Sequence, residues 1–332
     1  MKIAIITQNK AEADRVFPPE IRMQIQSFGE LYPTVLCRKN LKDHRDFLRE
    51  CEVLFSTWGM EHFSTAEIQE FFPMVRHLYY AAGSVQGFAR EFLECGVRVF
   101  SAWRANAVPV AEYTAAQIVL AAKGYFMAQR RCKQGFYPAN RQAQNHMGNY
   151  HATIGIVGAG AIGSMVCQKL RAVECTILCC DPFITVERAQ ELGAEKVEIT
   201  ELFERSDVIS NHLANKDELA GFYHYGLFQK MKPYATFINT GRGRQVINRD
   251  LNRILRERKD LTAVLDVTDP EPLPLSSPLR RRKNLFLTPH IAGSTGREVE
   301  RMAAYMIDEL SRLSNGELPQ HEVLMEMLAT MA

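Results

Sequence analysis

The sequence predicts an α/β fold with two domains, each built on a mostly parallel sheet. Three observations carry this prediction. Short apolar runs alternate with amphipathic, polar-faced stretches along almost the whole chain, the signature of right-handed βαβ units. The length, 332 residues, allows about two domains at roughly 150 residues each. The composition, 46% hydrophobic and 23% charged, is that of an ordinary globular protein that can bury a sizeable core.

The first series of strand candidates is KIAIIT (2–7), VLFST (53–57), HLYYAA (77–82) and VRVFSA (97–102). Polar helical stretches such as TAEIQEFF (65–72) separate them. After SAWRAN (101–106) a helical run is expected from Val108 to about Arg131. Its apolar residues lie on more than one face, which suits a helix buried between domains or subunits. Residues 135–150 are polar without a clear period and read as a loop or arm. A second series follows: TIGIVG (153–158), TILCCD (176–181), VISNHL (208–213), TFINT (236–240), LTAVLDV (261–267) and LFLTP (285–289). A last helix, about 297–313, carries Val299, Met302, Ala303, Met306, Ile307, Leu310 and Leu313 on one stripe.

Charge and cysteines exclude several classes. Forty basic residues against 38 acidic ones leave +2, so nucleic acid and anionic membranes find no bulk attraction. The run Arg280-Arg281-Arg282-Lys283 reads as a solvated loop face. No stretch approaches the roughly 18 apolar residues of a membrane span. The eight cysteines have no C-x-x-C pair, and no Cys/His grouping has zinc-ligand spacing, so no metal is expected. Cys175, Cys179 and Cys180 fall in an apolar, strand-like run, where cysteine acts as a small hydrophobe. The N-terminus turns polar after six residues, without a signal-peptide pattern. A cytoplasmic protein is the expectation.

The strongest local motif is Gly158-Ala159-Gly160-Ala161-Ile162-Gly163. A strand precedes it, a helix follows, and the next strand ends in Asp181, 18 residues after Gly163. Gly158 permits the tight turn, Gly160 lets backbone approach a pyrophosphate, and Gly163 lets helix and strand pack closely. Asp181 can accept hydrogen bonds from a ribose diol and repels a 2′-phosphate, which favours NAD over NADP. The competing reading is a glycine-rich turn that binds nothing. Because this motif lies about 150 residues into the chain, the cofactor domain is expected to be nested in the other. The expected division is 1–101 with 295–332 as one domain and 102–294 as the NAD-binding domain.

Three further segments end strands of the second series: Asn239-Thr240-Gly241-Arg242-Gly243, Asp266-Val267-Thr268-Asp269-Pro270-Glu271-Pro272, and Thr288-Pro289-His290-Ile291-Ala292-Gly293-Ser294. The carboxyl edge of an open α/β sheet is where ligands bind. An arginine there can hold a planar carboxylate by two parallel hydrogen bonds. A histidine can exchange a proton, and a glutamate can hold that histidine protonated.

The motifs GAGAIG, FINTGRG, DVTDPEPLP and TPHIAGST, in this order and approximate spacing, resemble those of the D-isomer-specific 2-hydroxyacid dehydrogenases. The stretch DVTDPEPLP followed by TPHIAGS looks most like the glyoxylate/hydroxypyruvate reductase branch. The resemblance covers about residues 80–305. It implies two Rossmann-like domains, a flavodoxin-like substrate domain and an inserted NAD-binding domain, and the interconversion of a small 2-oxo acid and its D-2-hydroxy acid. By resemblance, Arg242 binds the substrate's carboxylate and carbonyl oxygen, His290 exchanges the proton, and Glu271 pairs with His290 and raises its pKa. Asp266 would bind the nicotinamide carboxamide, and His212 and Thr240 would line the cofactor with Gly158, Gly160, Ala161, Ile162, Gly163 and Asp181. The substrate loop corresponds to Ala82-Gly83-Ser84-Val85, where the backbone N–H groups of Gly83 and Ser84 take the other carboxylate oxygen. Trp58 is either a pocket wall or core packing. A homodimer formed around the 108–131 helix and the 135–150 arm is also implied, and closure of an interdomain cleft would exclude water.

There are departures. The run His212-Leu213-Ala214-Asn215-Lys216-Asp217-Glu218-Leu219 lacks the family's common Pro and Thr-Pro-x-Thr, which puts cofactor contacts by that loop in doubt. Gly241 stands where relatives often have Ala or Ser. The loop AAGSVQGF lacks an acidic residue common near its end. A formate-oxidising branch typically has Gln where Glu271 stands, so Glu271 argues against it. A non-enzymatic alternative is an NAD(H)-sensing, corepressor-like binding protein; the chain's lack of long disordered extensions speaks against it.

Overall fold

The computed structural model describes residues 1–329. The chain divides into two compact units, residues 1–107 with 294–332 and residues 108–293. The division falls inside one helix, Trp103–Ala122, which starts five residues earlier than the Val108 expected. That helix stops at Lys123-Gly124, where Gly124 has φ +66°, and a second helix runs Tyr125–Cys132. One continuous helix to Arg131 was therefore incorrect. Residues 135–150 are also not purely a loop: Phe136–Gln144 is helical. Pro138 sits in its first turn, where a missing N–H costs nothing.

The first unit holds β1 (Lys2–Ile5), β2 (Glu30–Leu31), β3 (Val53–Ser56), β4 (His77–Tyr80) and β5 (Arg98–Ser101). Their order in the sheet is β2-β1-β3-β4-β5, all parallel. This is the flavodoxin-like order. β3 is buried at every residue, as expected of a parallel strand covered on both faces. Register brings Phe55, Tyr79 and Phe100 side by side, and their rings stack at 5.2 and 4.8 Å. The helix Thr65–Phe71 starts with a capping box, Ser64 and Glu67. The last helix, Glu298–Ser314, buries Val299, Met302, Ala303, Met306, Ile307 and Leu310 in this unit's core.

The second unit holds β6 (Thr153–Val157), β7 (Thr176–Cys180), β8 (Ala194–Lys196), β9 (Val208–Asn211), β10 (Thr236–Asn239), β11 (Thr262–Leu265) and β12 (Leu285–Leu287). All are parallel, in the order β8-β7-β6-β9-β10-β11-β12. That is the Rossmann order with a seventh strand added, and the topological switch point lies between β6 and β9. Finally, β13 (Glu322–Val323) returns to the first sheet, antiparallel beside β5. Arg98 and Glu322 secure it with two hydrogen bonds of 2.7 and 2.8 Å. Among the described residues, no helix is long and apolar enough to cross a membrane.

Candidate active site

β6 delivers the glycine motif to the switch point. Gly158 turns with φ +92°, and a side chain there would meet the His212 carbonyl oxygen at 2.8 Å. A Cβ on Gly163 would fall 2.0 Å from the Gly158 carbonyl, so the helix Ala161–Leu170 packs directly onto the turn. Gly160, at the head of that helix, has open space around its Cβ position. Asp181 follows β7, and its carboxylate accepts from the backbone N–H groups of Ala159 (2.7 Å) and Phe183 (2.8 Å). A bent glycine turn, an unobstructed helix N-terminus and a carboxylate one strand away fit a dinucleotide pyrophosphate and ribose. His212 follows β9 beside this turn. Its Nε2 pairs with Ser210 Oγ at 2.9 Å, and desolvation lowers its pKa to about 3, so the imidazole is neutral.

β10 delivers Thr240 and Arg242. The Thr240 hydroxyl pairs with that of Thr114 at 2.9 Å. Arg242 donates to the Gly241 carbonyl at 2.8 Å. Burial lowers the Arg242 pKa while Glu271 opposes the shift; an arginine stays cationic regardless.

β11 delivers Asp266, which is 3% exposed. Its carboxylate accepts from the Thr288 hydroxyl (2.6 Å) and the backbone N–H groups of Ile291 (2.9 Å) and Ala292 (2.8 Å). Tyr113 donates to Thr288 at 3.0 Å. Asp266 therefore braces the turn that carries His290, a task the sequence did not disclose. An ionised carboxylate has about four acceptor sites, so roughly one is left for a ligand.

His290 follows β12 with φ +55°, a left-handed conformation that is rare and strained for a non-glycine residue. Its Nδ1 meets Glu271 Oε1 at 2.6 Å. The two side chains are 50% and 43% exposed, so Nε2 can face a ligand. Arg242, Asp266, Glu271 and His290 thus share the carboxyl edge of one sheet with the glycine turn.

In the first unit, Thr7 follows β1 and Trp58 follows β3, the strands flanking that sheet's own switch point. Thr7 Oγ1 donates to the Trp58 carbonyl at 2.9 Å. The Trp58 ring is partly buried against the core. Gly83 and exposed Ser84 follow β4, and Ser101 Oγ holds the Ala82 and Gly83 carbonyls at 3.0 and 2.7 Å. Sequence reasoning missed Asn106. Its Oδ1 accepts from the Ser294 N–H (3.3 Å) and hydroxyl (3.0 Å), and its Nδ2 lies 3.5 Å from the Cβ position of Gly83. Polar residues recur along this helix, Arg104, Glu112 and Gln117 among them, so no signal in the sequence marked Asn106 out.

Residues 115–292 match the D-isomer specific 2-hydroxyacid dehydrogenase, NAD binding domain. A D-3-phosphoglycerate dehydrogenase of Archaeoglobus fulgidus is 30% identical over 67% of this chain, and the match covers 42% of that protein. A glyoxylate reductase of Korarchaeum cryptofilum is 28% identical over 85% of both chains. The D-mandelate dehydrogenase of Rhodotorula graminis shares the fold, with a TM-score of 0.80 at 19% identity over 97% of each chain. Fold and family match thus define a Rossmann-type, NAD-binding protein. The chain belongs to the D-isomer-specific 2-hydroxyacid dehydrogenase family.

Proposed function

We propose that this chain is an NAD-dependent reductase of small 2-oxo acids, acting in reverse on D-2-hydroxy acids. The His290–Glu271 pair, on the same sheet edge as Arg242 and the glycine turn, carries the reading. Arg242 binds the carboxylate and polarises the carbonyl oxygen. His290 gives its Nε2 proton to that oxygen, and Glu271 fixes the ring through Nδ1. Bound NADH supplies hydride to the carbonyl carbon. Gly158, Gly160, Ala161, Ile162, Gly163 and Asp181 hold the pyrophosphate and ribose. His212, Thr240 and the remaining acceptor site of Asp266 serve the nicotinamide half. In the first unit, Trp58 and the N–H groups of Gly83 and Ser84 are assigned to the substrate, and Asn106 joins them.

Glyoxylate and hydroxypyruvate are the favoured substrates, supported by the branch-like motif around Glu271 and by the similarity to a glyoxylate reductase. All eight cysteines are free, which supports a cytoplasmic setting. The exposed rings of Phe136 and Tyr137 support burial of the 136–144 arm in a homodimer; light scattering giving a monomer contradicts it.

The deciding experiment follows NADH oxidation with glyoxylate, hydroxypyruvate, pyruvate and phenylpyruvate. Turnover of at least one is expected. Tight NADH binding without turnover of any refutes the enzymatic reading and favours a sensor.

A further inference from the structure

Between the cofactor turn and the Arg242 turn lies a buried polar network that sequence reasoning did not single out. Asn211, Tyr223, Asn239 and Gln245 are each fully buried. Asn211 Nδ2 donates to Asn239 Oδ1 (2.8 Å) and Gln245 Oε1 (2.7 Å), while its Oδ1 accepts from the Tyr223 hydroxyl (2.8 Å) and the Leu213 N–H (3.0 Å). Every hydrogen-bonding position of the Asn211 side chain is therefore used.

The network reaches out on two sides. Gln245 Nε2 donates to the carbonyls of Leu213 (3.3 Å) and Ala214 (2.8 Å), pinning the loop that begins at His212. The His212 carbonyl is the group that abuts Gly158. On the other side, Asn239 Oδ1 accepts from the Gly241 N–H (3.0 Å), and its Nδ2 donates to the Arg242 carbonyl (3.1 Å). A Cβ on Gly241 would fall 2.8 Å from Asn211 Nδ2, so the network occupies the volume a side chain there would need.

We infer that Gln245 and Asn211 are positioning residues: they fix the backbone of Arg242 relative to the cofactor loop, and so set substrate affinity without touching the substrate. A fully satisfied buried network has one low-energy arrangement, whereas a partly satisfied one relaxes. The two turns it joins follow adjacent parallel strands, and side-chain amides supply these cross-links where the strand ladder ends. This inference rests on the proposed role of Arg242 as the carboxylate clamp.

The test is Gln245→Leu, which removes both donors to the loop and the acceptor of Asn211. The readouts are KM for the 2-oxo acid, kcat, and NADH Kd by fluorescence. A rise in KM of about tenfold or more is expected, larger than the accompanying rise in NADH Kd, since the variant also unpins the cofactor loop. Such a rise matches the order of losing one well-placed interaction. A merely structural role would lower the active fraction, reducing kcat while leaving KM unchanged, and that outcome overturns the inference. Tyr223→Phe removes a single bond and keeps the packing, so it serves should Gln245→Leu not fold. Its KM should rise about two- to threefold, and an unchanged KM overturns the inference again. If the wild type turns over no 2-oxo acid, the enzymatic reading itself fails and this inference falls with it. If the wild type is active and both variants keep its KM, the inference alone is wrong.

Discussion

Asp266→Asn weakens the bracing of the catalytic turn. The carboxylate accepts three hydrogen bonds, at 2.6, 2.9 and 2.8 Å, from Thr288, Ile291 and Ala292. An asparagine oxygen can keep Thr288 and Ile291, but its NH2 group then faces the Ala292 N–H, donor against donor. Ala292 is buried, so the orphaned amide costs about 1–3 kcal/mol. The two retained bonds lose their charge assistance, roughly half their strength, which adds about another 1 kcal/mol. A loss of about 2–4 kcal/mol should lower the Tm of a domain of this size by roughly 4–16 °C. The same loosening lets His290 drift, and a displacement near 1 Å costs on the order of a hundredfold in rate. Circular dichroism melting and kcat at saturating NADH measure the two effects. A Tm within about 1 °C of wild type, with kcat within about twofold, would show that the brace does not hold the turn.

Other substitutions and reagents probe the rest of the site. His290→Ala should lower kcat by about 10²- to 10⁴-fold with NADH Kd nearly unchanged; equal loss of both would remove its assigned role. Asp181→Ala removes the carboxylate that repels a 2′-phosphate, and should shift the NADH-over-NADPH preference by about tenfold. An unchanged Kd ratio would mean the ribose is read elsewhere. Burial pushes the Cys51 and Cys179 thiols to about 12 and Cys167 to about 11. At pH 8 their thiolate fraction is then about one in a thousand or less. These three should stay silent to a disulfide reagent until denaturant is added, and eight rapidly reacting thiols in the native protein would contradict the burial.

The sequence disclosed most where a residue type has one physical use. The parallel strands were legible because fully covered strands read as mainly apolar runs without a polar alternation, VLFS and TAVL among them. β2, β8 and β13, of two or three residues each, are too short to show a period. The helix Phe136–Gln144 was hidden because FYPANRQAQ has few apolar residues to mark a stripe. The strand-end positions of Arg242, Asp266 and His290 could be read from the Gly- and Pro-bounded turns that follow each apolar run. The bracing by Asp266 and the amide network of Asn211 and Gln245 could not. Each depends on which strand ends lie side by side, which periodicity within one segment does not encode.

The return of β13 to the first sheet also orders events during synthesis. Arg98 and Glu322 meet across 224 residues of chain, and the helix Glu298–Ser314 supplies core to a unit whose strands β1–β5 were made much earlier. Residues 108–293 are complete before that helix leaves the ribosome, so the Rossmann unit can fold while the unit that begins the chain still lacks part of its core. Until the last segment arrives, one edge of the first sheet stands open, with β5 as an unpaired template. Helper proteins that shield exposed strands would therefore act on the oldest part of this chain, and a premature stop before residue 298 would leave a folded cofactor unit joined to a sheet that cannot close.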